Sequence, residues 1–141
     1  MKQAFSLPEL VLVFAVTAIL LAIGVTNLVR VMDQLSVHAA ATHLVAAHQR
    51  ARMMAVVRSQ VLTLRVGASD VSITPRSGGE PIWRSAGPAA SGVALAGLPQ
   101  RFTFSPEGFT LGLSNASLQL QRGTSSRTLI ISRLGRIRVL R

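Results

Sequence analysis

The first part of the chain contains a long apolar segment that predicts a membrane-spanning helix. The 20 residues from Leu10 to Val29 include no charged side chain, and the clearly polar ones are two threonines and one asparagine. A helix of about 20 residues is roughly 30 Å long, which matches the hydrocarbon core of a bilayer. Glu9 lies at the start of this segment, where an ionised group is costly unless it has a partner. We therefore treat Glu9 as a candidate functional residue.

The helical pattern continues beyond this segment and becomes amphipathic. No Gly or Pro occurs between Val25 and Gln60, and Ala is abundant, so a helix is predicted over 30–60. At about 100° per residue the apolar side chains form one stripe, which we expect to pack on a domain. The stripe consists of Leu28, Met32, Leu35, Ala39, Ala46, Met53 and Val57. The opposite, polar side consists of Arg30, Asp33, Gln34, His48 and Arg52.

After Gln60 the pattern changes to short alternating runs separated by turn residues, which predicts β-strands. Strands are expected at 61–66, 71–74, 82–84, 93–95, 101–105, 117–122, 127–132 and 136–140, with a turn at 105–108. The expected fold class is α+β. A long amino-terminal helix, transmembrane in its lower half and amphipathic in its upper half, would pack on a carboxyl-terminal antiparallel β domain.

The charge balance points to a polyanionic partner. The 141 residues carry 15 basic and 5 acidic side chains, for a net charge of +10. Such an excess of base is typical of proteins that bind nucleic acids or other polyanions. The chain has no Cys, so neither a disulfide nor thiol chemistry is available. Its length leaves room for one anchor and one small domain.

Catalytic and metal chemistry find no support in the sequence. His38, His43 and His48 are spaced by five residues, so on a helix they do not share the face that ligands at i and i+4 would share. The few acids of the domain form no visible nucleophile–base arrangement. We therefore expect no enzyme, no cofactor and no metal. A membrane-anchored enzyme stays as a minor alternative, which bound metal or hydrolase turnover in the purified protein would support.

The amino-terminal motif carries a family resemblance. Ala4, the hexapeptide Phe5-Ser-Leu-Pro-Glu-Leu10 and the apolar run resemble the class III signal of type IV pilins and of type II secretion pseudopilins. The resemblance implies cleavage after Ala4 by a prepilin peptidase, N-methylation of Phe5 and a role for Glu9 in filament assembly. Where the family usually has Gly before the cleaved bond, this chain has Ala4, which is also small.

The same resemblance implies a division of the chain and a location. It gives a leader peptide at 1–4, a transmembrane half of the helix at 5–29, an amphipathic half at 30–60 and a β-rich globular pilin domain at 61–141. The chain would cross the inner membrane once, with its carboxyl-terminal domain in the periplasm, and later join other pilins or pseudopilins in a filament. A secretory signal peptide or an ordinary membrane anchor are the alternatives for the apolar run.

The carboxyl-terminal region carries a second resemblance. Phe104-Ser-Pro-Glu-Gly108, followed by a hairpin and Ser132-Arg-Leu-Gly-Arg-Ile-Arg138, is similar to the GspH/FimT branch of the pseudopilins. FimT-like minor pilins that bind DNA during natural transformation carry a Gly-Arg-x-Arg motif at this place. Here the motif stands as Gly135-Arg136-Ile137-Arg138.

Strand geometry supports this motif independently. Side chains alternate along a strand, so Arg136 and Arg138 would share one face about 6–7 Å apart, while Ile137 and Val139 would point into the core. Gly135 would let the chain turn into the strand. Arginine can bridge phosphate oxygens with two hydrogen bonds. The DNA-binding candidates are Arg122, Arg127, Arg133, Gly135, Arg136, Arg138 and Arg141.

Two functions of one fold remain as the main hypotheses. The first is a minor type IV pilin that binds the backbone of duplex DNA, without sequence specificity, for natural transformation. The second is a minor pseudopilin of a type II secretion system with a structural role at the tip, in which case the arginines are a solvated strand edge that discourages aggregation. The fold alone does not separate the two.

Overall fold

The computed structural model describes residues 6–97, 100–112, 116–132 and 134–140. These residues form one long helix, α1 (Leu7–Val57), and nine strands. They divide into two compact units, of which the first ends at Met32 and the second begins at Asp33. The predicted cleavage and methylation positions, Ala4 and Phe5, lie outside the described residues, and so does the leader.

The start of α1 is well adapted to a helix terminus. The carbonyl of Ser6 accepts hydrogen bonds from the N–H groups of Glu9 (3.1 Å) and Leu10 (3.2 Å). Pro8 lies in the first turn, where the absence of an N–H group costs nothing. Ser6 and Glu9 also have the spacing of a capping box, in which residue three of the helix is Glu or Gln. Glu9 therefore has a local structural role available besides the one that the family resemblance implies.

The described part of the first unit is mainly apolar helix. Its large apolar side chains from Leu10 to Val29 are exposed. Among the described residues, α1 is the one helix that is long and apolar enough to cross a membrane. An exposed apolar helix of this length fits the predicted anchor, because in a bilayer its side chains would contact lipid.

The end of α1 comes three residues before the predicted boundary at residue 60. The helix ends at Val57, and Ser59 has a φ of 50°, in the left-handed region. The N–H of Gln60 donates to the carbonyl of Ala55 at 3.1 Å, which closes the last turn. A left-handed residue just past a helix is a common stop, here without the usual glycine.

The second unit contains two antiparallel sheets. Their strands are β1 (Leu62–Val66), β2 (Asp70–Pro75), β3 (Trp83–Ala86), β4 (Ala94–Ala96), β5 (Gln100–Phe104), β6 (Thr110–Leu111), β7 (Ala116–Arg122), β8 (Ser125–Ile131) and β9 (Ile137–Leu140). The first sheet has the order β3-β2-β1-β5-β6, and the second has the order β4-β7-β8-β9. A short 3₁₀-helix, Pro88–Ser91, precedes β4 and was not predicted. The predicted α+β fold is confirmed.

The helix buries a different face from the one predicted. In the second unit the buried residues of α1 are Val37, Ala40, Ala41, Leu44, Ala47, His48, Ala51 and Ala55. All members of the predicted stripe are exposed, including Leu35 at 62% and Met53 at 66%. The sequence predicts that His48 and Asp33 lie on the solvated side of the helix. In the structure His48 is buried, and the side chain of Asp33 is largely shielded from solvent. The small alanine side chains explain the difference, because they allow the sheets to approach the helix closely.

His48 lies inside the core with its ring edge against an aromatic side chain. It is 1% exposed, its ring centre lies 5.0 Å from that of Phe104 at 80°, and its Nε2 has no hydrogen-bond partner among the described residues. Burial, together with the positive charge of Arg52, lowers the pKa of His48 from 6.5 to about 4. A buried imidazole without a partner is therefore kept neutral in the folded protein.

This burial predicts a loss of stability in acid. The unfolded chain takes up a proton near pH 6.5, while folded His48 resists it down to about pH 4. The contribution of His48 to the free energy of unfolding is therefore fully present above pH 6.5. It decreases by up to about 3 kcal/mol as the pH falls toward 4. We expect urea unfolding to show this loss in the wild type and in His38→Gln, whose His38 is exposed. His48→Leu should lack this part of the pH dependence; an unchanged acid profile in that variant would contradict the prediction.

Candidate nucleic-acid interface

A tight connection between β8 and β9 positions the Gly-Arg-x-Arg motif. Gly135 is buried and has a φ of 70°, which L-residues rarely adopt. Its N–H donates to the carbonyl of Ser132 at 2.9 Å, and the Ser132 N–H donates to the carbonyl of Arg136 at 2.9 Å. The Oγ of Ser132 accepts a further hydrogen bond from the Arg136 N–H at 3.3 Å. Gly135 therefore allows the turn that aims the following residues along the sheet.

Arg136 and Arg138 are both exposed on the last strand segment. Arg136 directly precedes β9, and Arg138 lies within it, opposite the exposed Ile130 of β8. Among the described residues, neither guanidinium group has an ion pair or a hydrogen bond. The two arginines are thus close in the chain, and no described acidic side chain forms an ion pair with either of them.

The prediction for the apolar residues of this strand needs correction. Ile137 is partly buried against the core, as expected, but Val139 is 39% exposed. The cause is the sheet order, since β9 is the edge strand of the second sheet and has a neighbouring strand on one side only. The arginine pair therefore lies on an open edge of the sheet.

Arg122 is bound within the protein instead of being available to a ligand. Its Nε lies 2.9 Å from Oδ1 of Asp33 on α1, and one terminal nitrogen donates to Oγ of Ser36 at 3.0 Å and to the carbonyl of Ser91. These contacts tie β7 to the helix and to the 3₁₀-helix. We infer that Arg122 stabilises the fold, and that it adds little positive charge to the surface.

Arg127 lies apart from the arginine pair. It stands opposite Leu120, on the side of β8 that also carries the buried Leu129. It lines a groove of about 440 Å³ together with Gln34 of α1. Arg138 stands on the opposite side of the sheet. Two further candidates, Arg133 and Arg141, lie outside the described residues, so the structure supports one compact pair, Arg136 and Arg138.

A second group of arginines was missed by the sequence interpretation. Arg65, Arg76, Arg84 and Arg101 line one groove on the outer face of the first sheet. Three of these residues come from separate strands and Arg76 follows β2, and all four are separated by eight or more residues along the chain, so no local motif connects them. The available signal was the alternation in 62–66 and 100–104, which places an arginine at the solvent side of two neighbouring strands.

The comparisons with known proteins agree with this architecture. A family-wide sequence model described as Type II transport protein GspH matches residues 40–135, which is more than half of the chain. The chain belongs to the GspH family. Two crystal structures of the type IV minor pilin FimU from Pseudomonas aeruginosa resemble this GspH-family protein in fold. A comparison with curated proteins found no match.

The structural resemblance covers most of both molecules. One FimU crystal form has a TM-score of 0.57 and 21% sequence identity, over 74% of this chain and 92% of FimU. The other has a TM-score of 0.58 and 23% identity, over 74% of this chain and 88% of FimU. At these identities the resemblance shows the shared fold and nothing about the ligands.

Family membership gives the coarse function. As a GspH-family chain with an apolar amino-terminal helix, the protein is a minor pilin or pseudopilin, and it fits a subunit that is anchored in the inner membrane and interacts with other pilins or pseudopilins. The resemblance to the GspH/FimT branch is thereby confirmed. The family match ends at Gly135, so Arg136 and Arg138 lie just beyond it. Their role has to be argued from their own chemistry.

Proposed function

We propose that this protein is a minor type IV pilin that binds duplex DNA through Arg136 and Arg138 for natural transformation. The observation that carries the proposal is the exposure of Arg136, just before the edge strand β9, and of Arg138 within it, without an ion pair among the described residues. Arginines that structure the fold find internal partners, as Arg122 does with Asp33. A charged pair left open to solvent is suited to an external anion.

The chemistry of the site favours the DNA backbone over the bases. The neighbouring exposed side chains of the second sheet are mainly uncharged, such as Ser117, Gln119 and Ile130. No aromatic side chain is described on β7, β8 or β9, so stacking on unpaired bases is not supported. Paired arginines can bridge phosphate oxygens, which gives binding that is independent of sequence and sensitive to salt. This mode requires the carboxyl-terminal domain to face the periplasm.

A salt titration with duplex DNA tests this proposal. The full chain, purified in a neutral detergent, is titrated against a short fluorescent duplex at several NaCl concentrations. We expect Arg136→Gln/Arg138→Gln to lower the affinity about tenfold at low salt, and to reduce the slope of log K against log[NaCl] by about 2, because two phosphate contacts are lost. Arg30→Gln/Arg58→Gln removes the same charge elsewhere and should bind almost like the wild type.

The outcomes separate the two functions. If the wild type fails to bind duplex DNA at low salt, the DNA-binding function is wrong. A minor pseudopilin of type II secretion, which the name of the matching family favours, is then the better account. If the arginine pair and the control pair lose the same affinity, binding is a general effect of net charge and the pair is not a site. Circular dichroism of each variant verifies that the fold is retained.

A further inference from the structure

We infer that the outer face of the first sheet is a second binding surface for the phosphate backbone of duplex DNA. The surface, called here the arginine row, consists of Arg84 on β3, Arg65 on β1 and Arg101 on β5, with the buried Ser72 of β2 between Arg84 and Arg65. This inference rests on the proposed function, since it names another contact for the same ligand. It goes beyond the carboxyl-terminal motif because it uses other residues, on the other sheet.

The strand register places the arginine row in a straight line across the sheet. Ser72 stands directly opposite Arg84 on one side and opposite Arg65 on the other, and Arg65 stands directly opposite Arg101. Facing side chains on antiparallel strands have Cβ atoms about 5 Å apart. Four adjacent strands span about 14 Å. Three arginines therefore start from backbone positions on one short line.

This arrangement is unfavourable in the absence of an anion. Like charges directly opposite each other destabilise a sheet, and Arg65 and Arg101 form such a pair. All three arginines of the row are exposed, and among the described residues none has an ion pair or a side-chain hydrogen bond. Asp70 is the one acid among the described residues that line the groove, and it lies in another row, opposite Ala86. An external anion between the arginines would remove the repulsion.

The neighbouring side chains supply the donors that a phosphate needs. Next to the arginine row runs a line of hydroxyl groups, in which Thr63 stands opposite Thr74 and Thr103. Thr63 and Thr103 share a hydrogen bond between their Oγ1 atoms at 3.2 Å, and the Thr74 hydroxyl donates to the carbonyl of Thr63 at 3.5 Å. One hydroxyl hydrogen of the Thr63–Thr103 pair is therefore left for an anion. Arg76, which follows β2, lines the same groove of about 450 Å³. Arginine and hydroxyl side chains are the groups that most often contact DNA phosphates.

The composition and layout of the surface favour duplex DNA over a single strand or a single small anion. The described lining residues include no aromatic side chain, which speaks against single strands that bind by base stacking. A duplex carries one phosphate charge per about 1.7 Å of its axis with both strands counted, so about eight charges lie within the length of the row and part of them face the surface. Three arginines in one line match a continuous array of charges better than they match a single small anion.

The test replaces the central pair of the row. In the duplex titration described above, the detergent-solubilised full chain with Arg65→Gln/Arg101→Gln should lose about tenfold in affinity at low salt, and its salt slope should fall by about 2. Its thermal midpoint should stay equal or rise, because the repulsion between the two arginines is gone. Arg30→Gln/Arg58→Gln again controls for net charge.

The two surfaces can fail separately. If the wild type binds duplex DNA and only Arg136→Gln/Arg138→Gln weakens binding, the arginine row is not a site and the proposed function stands. If Arg65→Gln/Arg101→Gln binds like the net-charge control, or unfolds at a lower temperature than the wild type, the inference is overturned. If the wild type does not bind at all, both proposals fall. Loss of affinity and salt slope in both surface variants, with the control unchanged, supports two contact surfaces.

Discussion

Replacing Gly87 by Ala is expected to destabilise the second unit by about 3 kcal/mol, the upper end of the usual cost of overpacking. Gly87 is buried between β3 and the 3₁₀-helix, and its N–H donates to the carbonyl of Ser69 at 2.9 Å. A Cβ atom at this position would overlap the carbonyl oxygen of Ala68. It would also lie 2.7 Å from the carbonyl carbon of Ala68 and 2.8 Å from the carbonyl oxygen of Gly67.

The atoms that a Cβ at residue 87 would overlap belong to the backbone, so the overlap can be relieved only at a high cost in free energy. A flexible side chain could rotate away, but the segment from Gly67 to Ser69 is the turn between β1 and β2 and is held at both ends. The Gly67 N–H donates to the Asp70 carbonyl at 2.8 Å, and the Ala89 N–H donates to the Ala68 carbonyl at 2.9 Å. Moving this turn would break hydrogen bonds in the first sheet. The backbone angle adds no strain, since the φ of Gly87 is −83° and suits any residue.

Urea unfolding followed by the fluorescence of Trp83, the single tryptophan of the chain, measures this effect. Gly79→Ala is the matched control, because a Cβ there meets nothing within 4 Å and only the positive φ of 113° is strained. A left-handed conformation costs an L-residue about 1–2 kcal/mol. If Gly87→Ala loses no more stability than Gly79→Ala, the turn between β1 and β2 can shift freely and the steric argument is wrong.

The positions of the strands were accessible from the sequence because alternation and turn residues act locally. The predicted run 101–105 agrees with β5 within one residue, and the predicted turn after it is closed by a hydrogen bond from the Gly108 N–H to the Ser105 carbonyl at 2.9 Å. Phe102 and Phe104, two residues apart in that strand, are both buried in the core, as the alternation of side chains along a strand requires. Local patterns of this kind need no knowledge of the neighbouring strands.

The buried face of the helix could not be predicted from local patterns. Hydrophobicity alone favoured the stripe with Leu35 and Met53, whose side chains are large, whereas the structure buries small side chains such as Ala51 and Ala55. Helix periodicity identifies apolar faces but does not say which of two such faces meets the sheet. That choice depends on how closely the sheets must approach, and close approach favours alanine. Leu35 and Met53 are left exposed.

The distribution of charge on the surface depends on the register of the paired strands, so sequence patterns do not predict it fully. The motif at Gly135 predicted the exposed pair Arg136 and Arg138 because all of its residues are adjacent in the chain. In contrast, Arg65 and Arg101 become neighbours only through the pairing of β1 with β5. In the sequence Arg122 does not differ from the other arginines, because its ion pair with Asp33 forms only in the folded structure. Which charges are free and which are compensated follows from tertiary contacts.

Replacing Glu9 by Ala is expected to leave membrane insertion intact and to reduce incorporation into filaments more than about tenfold. The reason is the position of the carboxylate, which begins an apolar helix of the kind that lies in lipid. An ionised group there is costly unless it finds an opposite charge. We propose that its partner is the methylated amine at Phe5 of a neighbouring subunit. The attraction between this amine and the Glu9 carboxylate would set the axial register of the filament.

The alternative role of Glu9 is helix capping, and a second variant separates the two. Glu9→Gln keeps a side chain that can serve in a capping box but removes the charge. If charge pairing governs assembly, both variants are found in the membrane fraction and are missing from sheared filaments, as immunoblots of the two fractions would show. If Glu9→Gln enters filaments like the wild type while Glu9→Ala does not, Glu9 acts on its own helix and the pairing with Phe5 is wrong. The charge mechanism thus predicts that glutamine, although nearly identical in shape, fails as completely as alanine.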